Sequence, residues 1–498
     1  MTHNAAPAMG DPNLGAHSAV PGVHPAPAAP VPESGRPVRR IAVIGAGPAG
    51  VYAADILLRA ERPFDVGIDV FERLPAPYGL VRYGVAPDHP RIKQIIDALR
   101  DTLDRSGVRL FANVDFGRDL TLADLRRCYD AVIFATGAVD DAPLSIPGAD
   151  LPGSFGAARF VGWYDAHPDF PRTWPLDQSQ VAVIGNGNVA LDVTRILAKP
   201  VDALTVTEIP AGVEDGLRAS QVTDVHVFGR RGPGAVKFSP LETRELGQVP
   251  DVDILLDEDD FAPEPFSDAA FAATNQKKVL RRIFDEWRRR PQTGAARRIH
   301  FHFRWRPVAV LGTDRVTGLR MERTRTEPDG TLVGTAELRD FPVGQVYHAI
   351  GYQGSPLPEV PYDAARGVIA NVEGRVVADA AAVDVSAADA SAAAAIPGEY
   401  TTGWIKRGPV GLIGSTKSDA RETVTHLIED LAAGRGWRPE SRDAEAVVRL
   451  LRERGVQFLD LPAWHRLDAY EHQLGADAGR ERVKVVSRED MVRHSRGE

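Results

Sequence analysis

Two segments of the chain share a pattern in which a short apolar run leads into a glycine-rich turn and then into a helical period. The first is IAVIGAGPAG, residues 41–50, and the second is VAVIGNGNVA, residues 181–190. The apolar run predicts a buried strand, and the periodic residues after the turn predict a helix packed on that strand. This order around G-x-G-x-x-G/A is typical of dinucleotide-binding folds. Two such units predict two nucleotides held together, with electrons moving between them.

Further apolar runs predict the rest of the sheet framework. YDAVIFATGA, residues 129–138, predicts a buried strand that ends in Thr-Gly, an arrangement often found where a two-nucleotide flavoprotein leaves its FAD domain. VYHAIGY, residues 346–352, predicts a returning strand. Between the first fingerprint and these strands, residues 75–90 are dense in Pro and Gly, and we expect an ordered loop that wraps a ligand.

The first fingerprint is followed by an acidic strand end. Gly45 permits the tight turn, Gly47 lets the backbone approach a pyrophosphate, and Gly50 lets the helix pack closely on the strand. The next predicted strand ends in Glu72, whose carboxylate can accept hydrogen bonds from both ribose hydroxyls of an adenosine. The same carboxylate would repel a 2′-phosphate. This site therefore suits FAD or NAD and disfavours NADP.

The second fingerprint is followed by a basic strand end. Gly185, Gly187 and Ala190 form the turn, and the predicted strand VHVFGRRGP, residues 225–233, carries Arg230 and Arg231 where a NAD site would place an acid. Two guanidinium groups at that position can hold a 2′-phosphate. This strand lies unusually far from Ala190 along the sequence. Residues 200–222 are therefore predicted to be an insertion between the helix after the turn and this strand. This site therefore favours NADP(H).

Composition narrows the function classes. The chain has 498 residues, 43% of them apolar and 26% charged, which predicts a soluble protein of more than one domain. No apolar run reaches the length of a membrane span. The single cysteine, Cys128, excludes a disulfide framework, a four-cysteine zinc site, an iron–sulfur cluster and a C-x-x-C redox pair. We therefore expect no metal centre and no disulfide-reductase chemistry.

Charge and terminal composition add three expectations. The net charge of −9 argues against nucleic acid as a partner. Residues 1–38 are rich in Ala, Pro, Gly and His without apolar periodicity, so we expect a disordered tail that is neither a secretory signal nor a transit peptide, and a cytoplasmic protein. In contrast to the acidic whole, residues 277–290, KKVLRRIFDEWRRR, hold seven basic residues against two acidic ones.

These motifs together resemble the adrenodoxin reductase type of ferredoxin–NADP⁺ reductase, including its actinobacterial members. The resemblance runs from about residue 39 to the C-terminus and is carried by GLVRYGVAPDHP (79–90), FVGWYDA (160–166), GNGNVALDVTRIL (185–197), GRRGP (229–233) and GWIKRGPVGLIG (403–414). It implies non-covalently bound FAD, NADPH as hydride donor, and a small iron–sulfur or heme-linked electron carrier as partner. It also implies a monomer.

The resemblance assigns residues to each nucleotide. The positions that match FAD contacts in the family, beyond the glycines of the first turn, are Ala49, Glu72, Leu80, Val114, Trp404, Gly411, Leu412 and Ile413. The positions that match NADP contacts, beyond Gly185, are Asn186, Gly187, Asn188, Val189, Arg230, Arg231, Glu242 and Gly411. His89 and Glu245 match polar residues that the family places near the nicotinamide, where they would orient it or relay protons.

The expected fold class is α/β, with two doubly wound dinucleotide-binding domains of the glutathione reductase type. The FAD domain is expected to be discontinuous, with the NADP domain inserted into it and a helical region at the C-terminus. The predicted limits are 39–140 for the first part of the FAD domain, 141–344 for the NADP domain and 345–498 for the second part. The Ala-rich segment 378–396 departs from the family pattern and is predicted to be an insertion.

Because the chain lacks a cysteine pair, electrons must leave the flavin directly. Small ferredoxins are typically acidic, so the basic segment 277–290 is a candidate docking site for an acidic ferredoxin-like carrier. The candidate contacts are Lys277, Lys278, Arg281 and Arg282. The alternative for this segment is an ordinary solvated helix face.

Two other functions stay open at this point. FVGWYDAHPDFP, which starts at Phe160, nearly matches the F-x-G-x-x-x-H-x-x-x-W/P signature of flavin monooxygenases, with one residue too many before His167. An FAD-dependent NADPH monooxygenase is therefore one alternative. The other is a non-catalytic flavin-binding module, which predicts a flavin that NADPH cannot reduce.

Overall fold

The computed structural model of the chain describes residues 35–262, 265–379, 395–411 and 413–498. Most of the predicted tail 1–38 and most of the predicted insertion 378–396 therefore lie outside the described residues, as does Leu412. Among the described helices, none is both long and apolar enough to cross a membrane.

Strands and helices alternate along much of the chain. The N-terminal part contains β1 (Val38–Ile44), α1 (Pro48–Arg59), β2 (Asp65–Glu72), α2 (Leu80–Tyr83), α3 (Pro90–Lys93), α4 (Ile95–Leu103), β3 (Val108–Ala112), α5 (Leu122–Cys128) and β4 (Ala131–Phe134). The middle part contains β5 (Asp140–Asp141), β6 (Ser154–Gly156), α6 (Ala157–Tyr164), β7 (Gln180–Ile184), α7 (Asn188–Ala198), α8 (Ala211–Arg218), β8 (Asp224–Gly229), α9 (Pro240–Leu246), β9 (Val252–Leu256), α10 (Pro265–Ala272), α11 (Asn275–Arg289), β10 (Arg297–Phe303), β11 (Trp305–Gly312), β12 (Val316–Thr326), β13 (Leu332–Phe341) and β14 (Gln345–His348). The C-terminal part contains β15 (Tyr352–Gln353), β16 (Tyr362–Asp363), β17 (Val368–Ile369), β18 (Asn371–Val372), β19 (Arg375–Val377), β20 (Ala395–Thr401), α12 (Trp404–Arg407), α13 (Ile413–Ala432), α14 (Glu445–Glu453), α15 (Leu461–Asp477) and α16 (Arg488–Arg496).

The first sheet has the strand order β18-β19-β20-β4-β1-β2-β3, and its central strands β20, β4, β1, β2 and β3 are parallel. Its strands come from both the N-terminal and the C-terminal parts of the chain. Side chains alternate between two cores, because Ile41 and Val43 pack on one face while Ala42 and Ile44 pack on the other. Burial of both faces explains why β1 is continuously apolar from Ile41 to Ile44.

The second sheet has the order β6-β14-β7-β8-β10-β9, and every neighbouring pair in it is parallel. Helices α6, α7 and α11 contribute to the core on one face of this sheet. The other face packs Ile184 and Phe228 against Leu319 and Met321, which lie in an antiparallel sheet of β11, β12 and β13. The sequence analysis did not predict this three-stranded sheet. Only one face of this sheet packs on the second sheet, and most residues of β13 are exposed or half-buried.

The predicted fold class, α/β with two parallel sheets of the dinucleotide-binding type, is confirmed. The two stretches of chain that connect the sheets pair with each other, since β5 is antiparallel to β15 with Asp141 opposite Tyr352. The domain limits 39–140, 141–344 and 345–498 stay a prediction.

Candidate dinucleotide sites and the contact between them

The first turn, after β1, requires glycine at two of its positions. Gly45 has φ +111°, and a Cβ there would lie 2.5 Å from the Ala135 carbonyl oxygen. A Cβ on Gly50 would lie 2.0 Å from the Gly45 oxygen. Gly47 precedes α1 without a side-chain cap, so the first N–H groups of the helix are open to a ligand. The turn therefore has the form of a phosphate site at a helix N-terminus.

Glu72 ends β2 beside this turn and is buried, with 7% of its surface exposed. One carboxylate oxygen accepts the Ala46 N–H at 3.0 Å and the other accepts the Leu74 N–H at 3.0 Å. Burial raises the pKa of Glu72, although these two hydrogen bonds oppose the shift. Each oxygen keeps a lone pair, so the carboxylate is oriented by the backbone and can still accept from ribose hydroxyls.

The Pro/Gly-rich loop is ordered and packs against the first turn. The Tyr78 N–H donates to the Ala46 oxygen at 2.9 Å, and Tyr78 itself has φ +82°. The loop then enters α2 at Leu80, which is half-buried. Val114, which is buried, donates its N–H to the backbone carbonyl oxygen of Glu72 at 2.9 Å. The structure thus brings Leu80 and Val114 to the same strand end as Glu72.

The C-terminal segment returns to the first turn. A Cβ on Gly403 would lie 2.5 Å from the Ala49 Cβ, so the two chains touch at this point. Trp404 stacks on Tyr352, with ring centroids 6.1 Å apart. The Asp419 carboxylate, which the sequence analysis missed, accepts the Gly403 N–H at 2.5 Å. The segment is therefore fixed at Gly403 and Trp404.

Beyond Trp404 the segment is more open. Gly411 is exposed with φ +89°, and a Cβ there would lie 2.7 Å from the Ser415 oxygen. Ile413 is the first residue of α13. Leu412 lies outside the described residues, so its predicted contact with FAD stays a prediction.

The second turn, after β7, repeats the arrangement with different partners. A Cβ on Gly185 would lie 2.4 Å from the Ala349 oxygen, and Gly187 precedes α7 without a side-chain cap. The Asn186 backbone carbonyl accepts the Lys237 N–H at 2.8 Å, and the Asn188 side-chain oxygen accepts the Ser239 N–H at 2.9 Å. The asparagines therefore tie the turn to residues 237–239. Val189, by contrast, is half-buried and packs against the core of the second sheet.

The arginine pair lies directly beside this turn. A Cβ on Gly229, the last residue of β8, would lie 2.2 Å from the Asn186 side chain. Arg230 and Arg231 follow and are both exposed. Neither forms an ion pair within the part of the chain that the structure describes, so both guanidinium groups are available to an anion.

His89, which is buried in the loop before α3, connects the loop beside the first turn to helices α7 and α9 beside the second. Its Nε2 atom lies 3.0 Å from an Asp192 oxygen on α7 and 2.9 Å from a Glu242 oxygen on α9. Its Nδ1 atom lies 3.1 Å from a Glu245 oxygen. The structure thus brings together three residues that the sequence analysis named, His89, Glu242 and Glu245, and adds Asp192.

The acidic surroundings set the charge of this histidine. Burial alone would lower the His89 pKa, but the hydrogen bonds to Asp192 and Glu242 outweigh it and raise the pKa to about 9. Burial also raises the pKa of Glu245. The raised pKa favours the protonated imidazolium of His89 at neutral pH, against the opposing charge of the Arg195 guanidinium, one nitrogen of which lies 2.7 Å from Nε2.

A second ion cluster beside His89 was missed. Asp88 forms two hydrogen bonds with Arg195, both 2.9 Å long, and accepts a third from Lys199 at 2.9 Å. Burial alone would raise the Asp88 pKa, but Arg195 and Lys199 outweigh it and lower the pKa. The sequence did contain a signal, because Asp192, Arg195 and Lys199 are spaced three and four apart and share one face of the helix.

The fold and the two glycine turns define a two-site dinucleotide-binding oxidoreductase. A family model for pyridine nucleotide-disulphide oxidoreductases matches residues 39–221. NADPH-ferredoxin reductase FprA of Mycobacterium leprae is 37% identical over 469 residues, which cover 92% of this chain and 99% of that protein. Mitochondrial NADPH:adrenodoxin oxidoreductase of Bos taurus is 38% identical over 473 residues, 91% of each chain.

Solved structures give the same result. Mycobacterium tuberculosis FprA in complex with NADPH matches with a TM-score of 0.84 at 37% identity, covering 92% of this chain and 100% of that one. The chain therefore belongs to the family of NADPH-ferredoxin reductases and NADPH:adrenodoxin oxidoreductases, and the family resemblance inferred from its motifs is confirmed.

We expect the stability that His89 provides to depend on pH in a defined window. Because its folded pKa is about 9 and its reference pKa is 6.5, the contribution is complete below pH 6.5 and is lost as the pH rises through 9. The melting temperature of the protein should therefore exceed that of the His89→Gln variant most at pH 6, and the difference should shrink by pH 10.

NMR titration of the histidine Cε1–H signals measures the same quantity directly. The signal that disappears in His89→Gln should titrate near pH 9. A midpoint near the ordinary histidine value, together with a stability difference that does not change with pH, would contradict this account of the contact.

Proposed function

We propose that this protein transfers electrons from NADPH, through bound FAD, to a ferredoxin-like one-electron carrier. The observation that carries the proposal is the opposite charge at two equivalent places in the structure. Glu72 ends the strand that follows the first glycine turn, and Arg230 and Arg231 come directly after the strand that follows the second. The two sites therefore select different dinucleotides.

The first site fits FAD. Its glycine turn leaves room for a pyrophosphate, and the N-terminal amides of α1 are free to bind it. Glu72 is positioned to accept hydrogen bonds from an unphosphorylated ribose and excludes a 2′-phosphate. Trp404 and Gly411 would lie along the isoalloxazine, since their segment is anchored on Ala49. FAD, when bound, supplies an acceptor of two electrons that can be given up one at a time.

The second site fits NADPH. The N-terminal amides of α7 would bind its pyrophosphate, and Arg230 and Arg231 would hold the 2′-phosphate by charge-assisted hydrogen bonds. Asn186, Asn188 and Glu242 line the same turn or the helix beside it.

His89 and Glu245 would border the nicotinamide. The His89 imidazolium keeps a proton on Nδ1, toward Glu245, and the carboxylates of Asp192 and Glu242 keep its ring fixed. Hydride transfer itself needs no general base, so we assign these residues to orienting the nicotinamide ring and holding a proton beside it.

Electrons leave the flavin without passing through a cysteine thiol. Cys128, the single cysteine of the sequence, is half-buried, and burial raises the pKa of its thiol, which keeps it protonated.

We propose instead that an acidic carrier docks on α11. Lys278 and Arg282 are exposed there and form no ion pair within the described residues. Lys277 donates to the Val236 carbonyl oxygen, and Arg281 pairs with Asp268 at 3.1 Å. These two side chains therefore contribute less to the docking of the carrier than Lys278 and Arg282.

We also propose that the protein works as a monomer in the cytoplasm. Size-exclusion chromatography with light scattering tests the first point, and cell fractionation tests the second. A stable dimer would contradict the monomeric state. Recovery with an organelle or membrane fraction would contradict the cytoplasmic location.

Anaerobic stopped-flow absorbance tests the cofactor assignment. We expect NADPH to bleach the flavin absorbance at least about tenfold faster than NADH at equal concentration, because only NADPH offers the 2′-phosphate that the arginines bind. In the Arg230→Ala/Arg231→Ala variant, the apparent affinity for NADPH should fall about 10- to 100-fold, while that for NADH changes less than about twofold.

NADH serves as the internal control, since a general defect would slow both nucleotides. Equal rates with NADPH and NADH in the unaltered protein would remove the NADPH assignment. A flavin that neither nucleotide reduces would leave a non-catalytic flavin-binding module. Rapid oxygen consumption stimulated by an organic substrate would favour the monooxygenase instead.

Steady-state reduction of cytochrome c through a small acidic ferredoxin tests the docking site. In Lys278→Gln/Arg282→Gln we expect the KM for ferredoxin to rise about 3- to 10-fold at low ionic strength, with the difference disappearing at high salt. Reduction of ferricyanide, which needs no docking, should stay unchanged.

Arg438→Gln/Arg452→Gln is the matched control. It removes the same two positive charges from exposed positions in the C-terminal part of the chain. If both double variants raise KM equally, net charge rather than the α11 surface controls association, and the docking proposal fails.

A further inference from the structure

The two arginines at the end of β8 lie on a short loop whose backbone is fixed by other parts of the chain. We call residues 230–231 the arginine loop. Both of its carbonyl oxygens accept hydrogen bonds from a single corner of the antiparallel sheet. The Arg231 oxygen accepts the Arg304 N–H at 3.2 Å, and the Arg230 oxygen accepts the Thr324 hydroxyl at 2.7 Å.

The corner itself is a tight junction between two strands. β10 ends at Phe303, β11 begins at Trp305, and Arg304 between them has φ +59°. A non-glycine residue in this region is strained, so its surroundings must hold it. The buried Asp260 carboxylate does so by accepting the Phe303 N–H at 2.8 Å. The same carboxylate binds the Arg323 guanidinium at 2.8 Å.

Thr324 connects this corner to the arginine loop. It is almost fully buried, with 2% of its surface exposed. Its N–H donates to the Arg304 oxygen at 2.7 Å, and its hydroxyl donates to the Arg230 oxygen at 2.7 Å. One residue therefore holds both the strained corner and the loop. No other described side chain donates to the Arg230 oxygen.

This arrangement has a consequence for nucleotide choice. Arginine side chains are long and flexible, so an exposed pair binds a phosphate well only if its backbone is fixed. Valine has nearly the volume of threonine but lacks the hydroxyl. Its presence at position 324 would leave the Arg230 oxygen without its donor and would loosen the loop at Arg230, while the Arg304 N–H would still bind the Arg231 oxygen.

We propose that Thr324 is a positioning residue that determines the affinity of this protein for the 2′-phosphate of NADP(H). It does not touch the nucleotide but acts through the backbone of Arg230. The proposal rests on the assignment of NADPH to the second site, and it adds the antiparallel sheet to the elements that set specificity.

Isothermal titration of the FAD-loaded protein with 2′,5′-ADP and with 5′-AMP tests the proposal without any turnover. In Thr324→Val the Kd for 2′,5′-ADP should rise about 5- to 20-fold, because the Arg230 carbonyl loses its hydrogen-bond donor and the loop loses one of its two anchors. The Kd for 5′-AMP, which lacks the 2′-phosphate, should change less than about twofold. Thr324→Ser keeps the hydroxyl and should restore most of the affinity.

Thr335→Val is the matched control. Its hydroxyl also donates to an arginine carbonyl, that of Arg323, at 3.0 Å on the neighbouring strand, but it does not contact the arginine loop. This variant should bind both nucleotides as the unaltered protein does. If Thr324→Val does not fold, Thr324→Ala provides a second hydroxyl-free variant with less crowding at the same position.

Three results would overturn the proposal. The first is a Kd for 2′,5′-ADP that is unchanged in Thr324→Val. The second is an equal loss of affinity for both nucleotides, which would show a general defect of the second site. The third is an unaltered protein that binds 2′,5′-ADP and 5′-AMP equally well. That third result would also overturn the assignment of NADPH, whereas the first would leave it standing.

Discussion

The loop that carries Asp88 and His89 is held against α7 by buried ion pairs, so the loop beside the first glycine turn and the helix after the second turn stay in contact. Asp88 binds Arg195 through both oxygens, and His89 lies within 3.0 Å of Asp192. Buried charges are costly unless they are paired, so these groups are stable only while the loop and α7 stay together. In the proposed function, electron transfer between the two nucleotides would depend on the same contact.

In the proposed function, a few charged side chains determine which dinucleotide each of two similar turns binds. Each site has a glycine turn and an uncapped helix N-terminus, so either could bind a pyrophosphate. What differs is the next strand end, which carries Glu72 in one case and Arg230 and Arg231 in the other. Glu72 is oriented by two backbone amides, and the arginines are supported through Thr324 and Arg304. In both places, hydrogen bonds that involve the backbone fix the residues to which we assign nucleotide selection.

The features predicted from the sequence are those that depend on residues close together in the chain. The glycine turns, the apolar strands β1 and β7 and the charges that follow them are of this kind, because each requires only a local pattern. The pairing of Asp88 with Arg195 joins residues 107 apart, and the Thr324 contact joins residues 94 apart. Such contacts exist only after folding. The three-stranded sheet was missed for a different reason. Its strands are consecutive and pair locally, but β13 is mostly exposed and lacks the apolar run that marks a buried strand.

A crystal structure of the protein with FAD and NADP⁺ tests the central claim most directly, because it shows which dinucleotide each strand end selects. The account predicts the 2′-phosphate between the Arg230 and Arg231 guanidinium groups, and an unphosphorylated ribose on the Glu72 carboxylate. It also predicts that the nicotinamide lies beside His89 and Glu245. A 2′-phosphate bound away from both arginines, or an NADP⁺ molecule in the Glu72 site, would contradict it.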